Sequence, residues 1–161
     1  MNTKYLGLFV MAFFLGYLAS QIIGYVNPDL QMPFSADTIK ADAPSNHIDK
    51  SQILVYNDKV VLNLQGAEWA EFTPTGSMKP VFDENANAIE IVPKSPDEIH
   101  IGDIVSYESS FTDGYVIHRV IDIGEDEKGW YAILKGDNNQ NPDPEKVRFD
   151  KIKRVLVAII Y

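Results

Sequence analysis

From Tyr5 to Val26 the chain runs YLGLFVMAFFLGYLASQIIGYV, 22 residues without a charge. As a helix this stretch would extend about 33 Å, enough to cross a hydrocarbon core of about 30 Å. A cleavable signal peptide would have a shorter apolar region, about 7 to 15 residues, closed by a small-x-small site. Here Ala19 has Tyr17 two places before it and Gly24 has Ile22, so neither position suits cleavage. The reading is an uncleaved anchor over residues 1–26. Lys4 and the N-terminal amine precede the span and the first charge beyond it is Asp29. That bias predicts a cytoplasmic N-terminus, with everything after residue 27 on the outer face of the cell membrane.

Residues 27–51, NPDLQMPFSADTIKADAPSNHIDKS, carry three prolines and no sustained apolar period, which predicts a juxtamembrane stalk. The remainder, 52–161, is a string of short β-rich runs. ILVYNDKVVLNL (53–64) folds back about Asn57-Asp58, a pair that tolerates the positive φ angles of a tight hairpin. AIEIV (88–92), DIVSYES (103–109), YVIHRVIDI (115–123), WYAILK (130–135) and KRVLVAIIY (153–161) follow, almost none with helical periodicity. GEDEKG (124–129) is polar and flexible between two such runs and predicts another hairpin. The apolar C-terminal run is too short for a second span and reads as a buried strand. The expected fold is therefore mainly β, one domain of about 110 residues on a single N-terminal transmembrane helix.

Composition excludes several functions. A net charge of −9 with no basic cluster argues against nucleic acid. Zero cysteines remove disulfides, thiolate metal sites and a cysteine nucleophile. The three histidines, His47, His100 and His118, are too scattered along the chain to suggest a metal cluster, and no cofactor is expected.

Candidate chemistry centres on TPTGSMKP, Thr73 to Pro80. Gly76 can take backbone angles closed to other residues, and Pro74 and Pro80 stiffen the approach and exit, which suits a fixed hydroxyl at Ser77. Alone, the segment is also ordinary turn vocabulary. A serine nucleophile needs a neutral imidazole to take its proton and a carboxylate to hold the ring. His118 lies in YVIHRVIDI, where alternation puts Val116, His118, Val120 and Asp122 on one face and Ile117, Arg119, Ile121 and Ile123 on the other. KGDNNQNPDPE, residues 135–145, offers Asp137 and Asp143.

In order, GSMKP (76–80), GDIVSY (102–107), VIHRV (116–120) and KGDNN (135–139) resemble the successive boxes of the type I signal peptidases, behind the single span that those enzymes carry. Histidine at 118, in place of the lysine of bacterial members, is similar to the archaeal and endoplasmic-reticulum branch. Lys79 stands two residues beyond Ser77 and does not match the bacterial lysine. The resemblance implies Ser77 as nucleophile, His118 as general base, Asp143 as the acid of a Ser-His-Asp arrangement and Asp137 as a second important acid. Which carboxylate meets the imidazole is open at this point. It also implies Thr75 as a side-chain partner of the Ser77 amide in an oxyanion hole, and a mostly antiparallel, signal-peptidase-like β domain with its active site close to the membrane surface.

On that resemblance the expected activity is removal of signal peptides with small residues at −1 and −3 from preproteins. The expected partners are those signal peptides, the lipid bilayer and the translocation machinery. Trp69, Phe72, Met78, Val81 and Phe82 are candidates for shallow substrate pockets as well as for core. Two alternatives compete. One is a self-cleaving peptidase like the SOS-response repressors, which would need lysine and a cleavable segment. The other is a catalytically idle, membrane-anchored β module.

Overall fold

The computed structural model describes Met11, Phe13, Phe14, Leu15, Tyr17 and residues 41–161. The five early residues are helical and exposed. Most of the expected anchor (5–26) and the 27–40 part of the expected stalk lie outside the described residues. Among those described, no helix is long and apolar enough to cross a membrane.

Residues 41–161 form one compact unit, mainly β and wholly antiparallel in its pairing. Strands β1 (Ile53–Val55) and β2 (Val60–Leu62) make a two-stranded hairpin, closed by Tyr56 N–H donating to Lys59 C=O at 2.8 Å. The other six are β3 (Glu68–Glu71), β4 (Asn87–Ile91), β5 (Ile104–Glu108), β6 (Tyr115–Asp126), β7 (Gly129–Lys135) and β8 (Ile152–Ile160). They form one sheet in the order β3-β4-β8-β5-β6-β7. The C-terminal run is thus a central strand, as its apolar composition predicts.

GEDEKG is a hairpin, but a tighter one than expected: β6 runs on to Asp126, which pairs with Gly129. β3 is an edge strand that the sequence did not mark, because EWAE has no apolar alternation and three of its four residues are exposed.

Period-2 alternation on β5 feeds two cores. Val105 and Tyr107 join Ile99, Val120, Ala132, Leu134, Val147, Ile152 and Val155 on one side. Ile104 joins Met78, Phe82, Ala86, Ala88 and Leu156 on the other. Residues opposite each other on paired strands share a face, so the Val105–His118 pair belongs to the first side and the Ser106–Ile117 pair to the second. The alternation expected along β6 stops at a bulge between Val120 and Asp122, which turns Ile121 out to solvent. His118, Arg119 and Val120 are consecutive and all buried.

The segment 41–49, expected to belong to a free stalk, instead packs against the domain. Ser45 N–H donates to Asp103 Oδ1 at 2.8 Å, and Arg119 Nη1 donates to Asp42 C=O at 3.2 Å. Asp103 is fully buried. Burial opposes its ionisation, but hydrogen bonds from His47, Ser45 and the His100 N–H more than offset this and hold its carboxyl at about 2.

Leu134 is fully buried at the centre of the first core. Leu134→Ala is expected to lower the unfolding free energy by about 2 to 5 kcal/mol, read from the shift in urea midpoint at unchanged slope.

Candidate active site

Ser77 is held by what flanks it. Met78 and Phe82 are buried in the second core, and Phe72 stacks on Phe82 with ring centroids 4.0 Å apart. Gly76 has φ +69°, a left-handed angle that supplies the turn into Ser77. Its N–H donates to Asp83 Oδ1 at 3.3 Å, and Asp83 Oδ2 pairs with Lys79 Nζ at 2.6 Å. From across the site, Asn138 N–H donates to Ser77 C=O at 2.8 Å and Asn138 Nδ2 to Gly76 C=O at 3.1 Å.

Ser77 Oγ lies 3.2 Å from Thr75 Oγ1, and the Ser77 N–H points at the same Thr75 oxygen at 3.5 Å. The two groups expected to form an oxyanion hole are therefore neighbours, turned toward each other. Lys79, two residues beyond Ser77, is no base: the Asp83 hydrogen bond raises its pKa and keeps it an ammonium.

His118 Nδ1 is 2.7 Å from Asp143 Oδ2, and the Tyr107 hydroxyl donates to that same oxygen at 2.8 Å. The carboxylate accepts, so the neutral ring carries its proton on Nδ1 and keeps the Nε2 lone pair for a proton. Among the described residues no hydrogen bond uses Nε2, and no buried side-chain nitrogen or oxygen lacks a partner, so Nε2 reaches solvent. Burial and the Asp143 charge push the Tyr107 phenol far above its ordinary range, which keeps it a donor. The Asp143 N–H donates to Leu134 C=O at 2.8 Å and fixes the loop that carries the acid.

Asp137 does not meet His118. It takes a two-pronged hydrogen bond from Arg119, Nε to Oδ1 and Nη2 to Oδ2, each 2.7 Å. Arg119 Nη1 also donates to Gly102 C=O at 2.7 Å. Asp137 is thus a tether, and Asp143 the partner of the imidazole.

No hydrogen bond joins Ser77 to His118. The sheet register accounts for this: His118 lies on the Val105 face, whereas Ile117, on the other, lines a small recess with Thr75 and Ser77. Two halves are present, a Thr-Ser loop and a Tyr-Asp-His group, joined through the Asp137–Asn138 loop.

Beside the Ser77 recess, and sharing Phe72, Thr73 and Ile117 with it, opens a cleft of about 350 Å³. Trp69, mostly exposed, lines the cleft, while Met78 and Phe82 are core residues that also border the recess. Glu90, Ser106 and Arg154 are among the residues lining the cleft. Tyr107, Arg119 and Asn138 were not singled out from the sequence, although each stands inside one of the four boxes. His47 and His100, far apart in sequence, meet in space with ring centroids 6.3 Å apart, so the expectation of scattered histidines is wrong for two of the three.

No family model matches the chain, and no solved structure matches it. A Methanocaldococcus jannaschii protein described as uncharacterized is 48% identical over 44 residues. Those residues are 27% of this chain and 22% of that protein, so the match spans about a fifth of the relative's length.

Burial pushes the Glu90 carboxyl up, against the opposing Ser106 hydrogen bond and the Arg154 charge. A folded-state pKa above the unfolded one means that ionised Glu90 opposes folding at neutral pH. Glu90→Gln is expected to stabilise the protein at pH 7 to 8. The gain should fade as pH falls through the raised folded value and vanish below the unfolded value of about 4.3. Denaturant midpoints of both proteins across pH test this; a gain that grows toward acid would contradict it.

Proposed function

We propose that the chain is a membrane-anchored serine endopeptidase of the signal peptidase type, which removes signal peptides from translocated preproteins. The observation that carries the reading is the Tyr107–Asp143–His118 group, with an imidazole held by its Nδ1 and free at Nε2. A buried structural histidine has no need of a carboxylate that is itself positioned by a phenol.

In the proposed reaction an extended peptide lies in the cleft between β3 and the start of β6, where the open edge of β3 offers main-chain hydrogen bonds. Closure on substrate brings Ser77 Oγ to His118 Nε2, contacts that commonly tighten only in the substrate complex. Oγ attacks the scissile carbonyl as Nε2 takes its proton. Thr75 Oγ1 and the Ser77 N–H turn from each other to the developing oxyanion. The imidazolium, stabilised by Asp143, then protonates the leaving amine, and water, deprotonated by the same nitrogen, hydrolyses the acyl-enzyme.

The β1–β2 hairpin exposes Ile53, Leu54, Val55, Tyr56, Val60 and Val61, an apolar surface suited to a bilayer. Enzyme and substrate confined to one membrane gain in effective concentration.

The unmade Ser77–His118 bond favours a second reading, an idle β module. The two are separated by incubating the detergent-solubilised chain with a model preprotein and determining the mass of the new N-terminus. Ser77→Ala, His118→Ala and Asp143→Asn are each expected to lose on the order of 10⁴-fold in rate. Thr75→Val should lose about 2.7 to 4 kcal/mol of transition-state stabilisation while remaining folded. Processing undiminished in Ser77→Ala would sink the enzyme reading, and absence of any processing by the wild type would favour the idle module.

A further inference from the structure

Two histidines outside the proposed catalytic group converge on one carboxylate. His47 comes from the 41–49 segment and His100 from the turn before β5. His47 Nε2 is 3.0 Å from Asp103 Oδ2 and His100 Nδ1 is 3.6 Å from the same atom. Ser45 Oγ lies 2.9 Å from His47 Nε2, 3.2 Å from His100 Nδ1 and 2.7 Å from Asp103 Oδ1. One ligand atom from each of His47, His100 and Asp103 falls within 4.8 Å of the others. A tetrahedral zinc ion with ligands at about 2.0 to 2.1 Å has ligand–ligand edges of about 3.3 Å, so these separations bracket what a shared ion needs.

The carboxylate is also set in advance. Oδ1 accepts from the Ser45 N–H and Oδ2 from the His100 N–H, each at 2.8 Å. Such outer hydrogen bonds fix the direction of a ligating oxygen. Donor counting points the same way. The single Ser45 hydroxyl proton goes to Asp103 Oδ1, so in the metal-free protein both imidazoles must aim an N–H at the centre. When a divalent ion binds, each ring carries its proton on the outer nitrogen instead and turns a lone pair inward, and neutral imidazoles with a carboxylate are the donors that zinc prefers.

We propose that His47, His100 and Asp103 bind one zinc-like divalent transition-metal ion, with Ser45 Oγ or water as fourth ligand, and that the ion fastens segment 41–49 to the β domain. Only two of the three protein ligands belong to the sheet side of the cluster, so the metal cross-links elements some fifty residues apart. The neighbouring backbone is already fitted for this. Gly102 has φ +99°, and a Cβ there would run into the Ala43 carbonyl. The same Gly102 carbonyl accepts from Arg119, the residue next to His118. The clamp therefore abuts the group that positions the Asp137 loop.

The test uses untagged full-length chain in detergent, stripped with EDTA and titrated with Co²⁺. One equivalent should bind with the visible absorption of a four-coordinate ion and be displaced by one equivalent of Zn²⁺. Zn²⁺, and not Mg²⁺, should slow amide exchange across residues 41–49. His47→Gln and His100→Gln should each weaken Co²⁺ binding at least about 100-fold. His100 is 56% exposed in its side chain, so its replacement leaves the fold intact. His118→Gln should bind Co²⁺ as the wild type does. The proposal is overturned if the wild type takes up no metal at micromolar Zn²⁺, if the two glutamine variants bind normally, or if His118→Gln abolishes binding. None of these readouts depends on peptidase activity.

Discussion

The Arg119 guanidinium is the tie on which the site's geometry depends. It is almost wholly buried, and a buried cation is tolerated only when its donors are met. Nε and Nη2 grip Asp137, while Nη1 reaches Gly102 C=O and Asp42 C=O. One side chain thereby joins β6, the loop after β7, the turn before β5 and the 41–49 segment. From the same loop Asn138 holds the backbone of Ser77, so the serine's position is set, at one remove, by an arginine that does no chemistry in the proposed reaction.

The antiparallel register then decides which groups meet. Opposite residues share a face, so His118 beside Val105 finds Asp143 and Tyr107, whereas Ile117 beside Ser106 finds the Ser77 recess. The acid-imidazole pair is assembled in the free protein, with no hydrogen bond to the serine. On the peptidase reading, reactivity is tied to substrate binding. On that reading, an unengaged serine keeps the free enzyme from attacking the wrong peptide bond.

Much of the fold was legible because its signal is local. Five short β-rich runs became β4 to β8, and Asn57-Asp58 marked the first hairpin, although neither residue takes the positive φ expected of it. β3 was invisible, since an edge strand with exposed glutamates has neither alternation nor burial to betray it. The bulge at Ile121 was likewise hidden, because ladder defects arise from the partner strand. The 41–49 segment read as a linker from its composition, and it is held by Asp103 and Arg119, buried groups nearly sixty and more residues away.

By itself, the sequence determined that the folded part of this protein is mainly β, and it offered Thr75, Ser77, His118, Asp137 and Asp143 as candidate site residues. Backbone alternation and turn residues act over a few positions, so they can be read from neighbours alone. Tertiary structure decided that Asp143 meets His118, that Asp137 meets Arg119, and that His47 and His100 share Asp103. Each is a long-range pairing, chosen by which buried charges must be satisfied where the chain crosses itself, and spacing along the chain does not encode it.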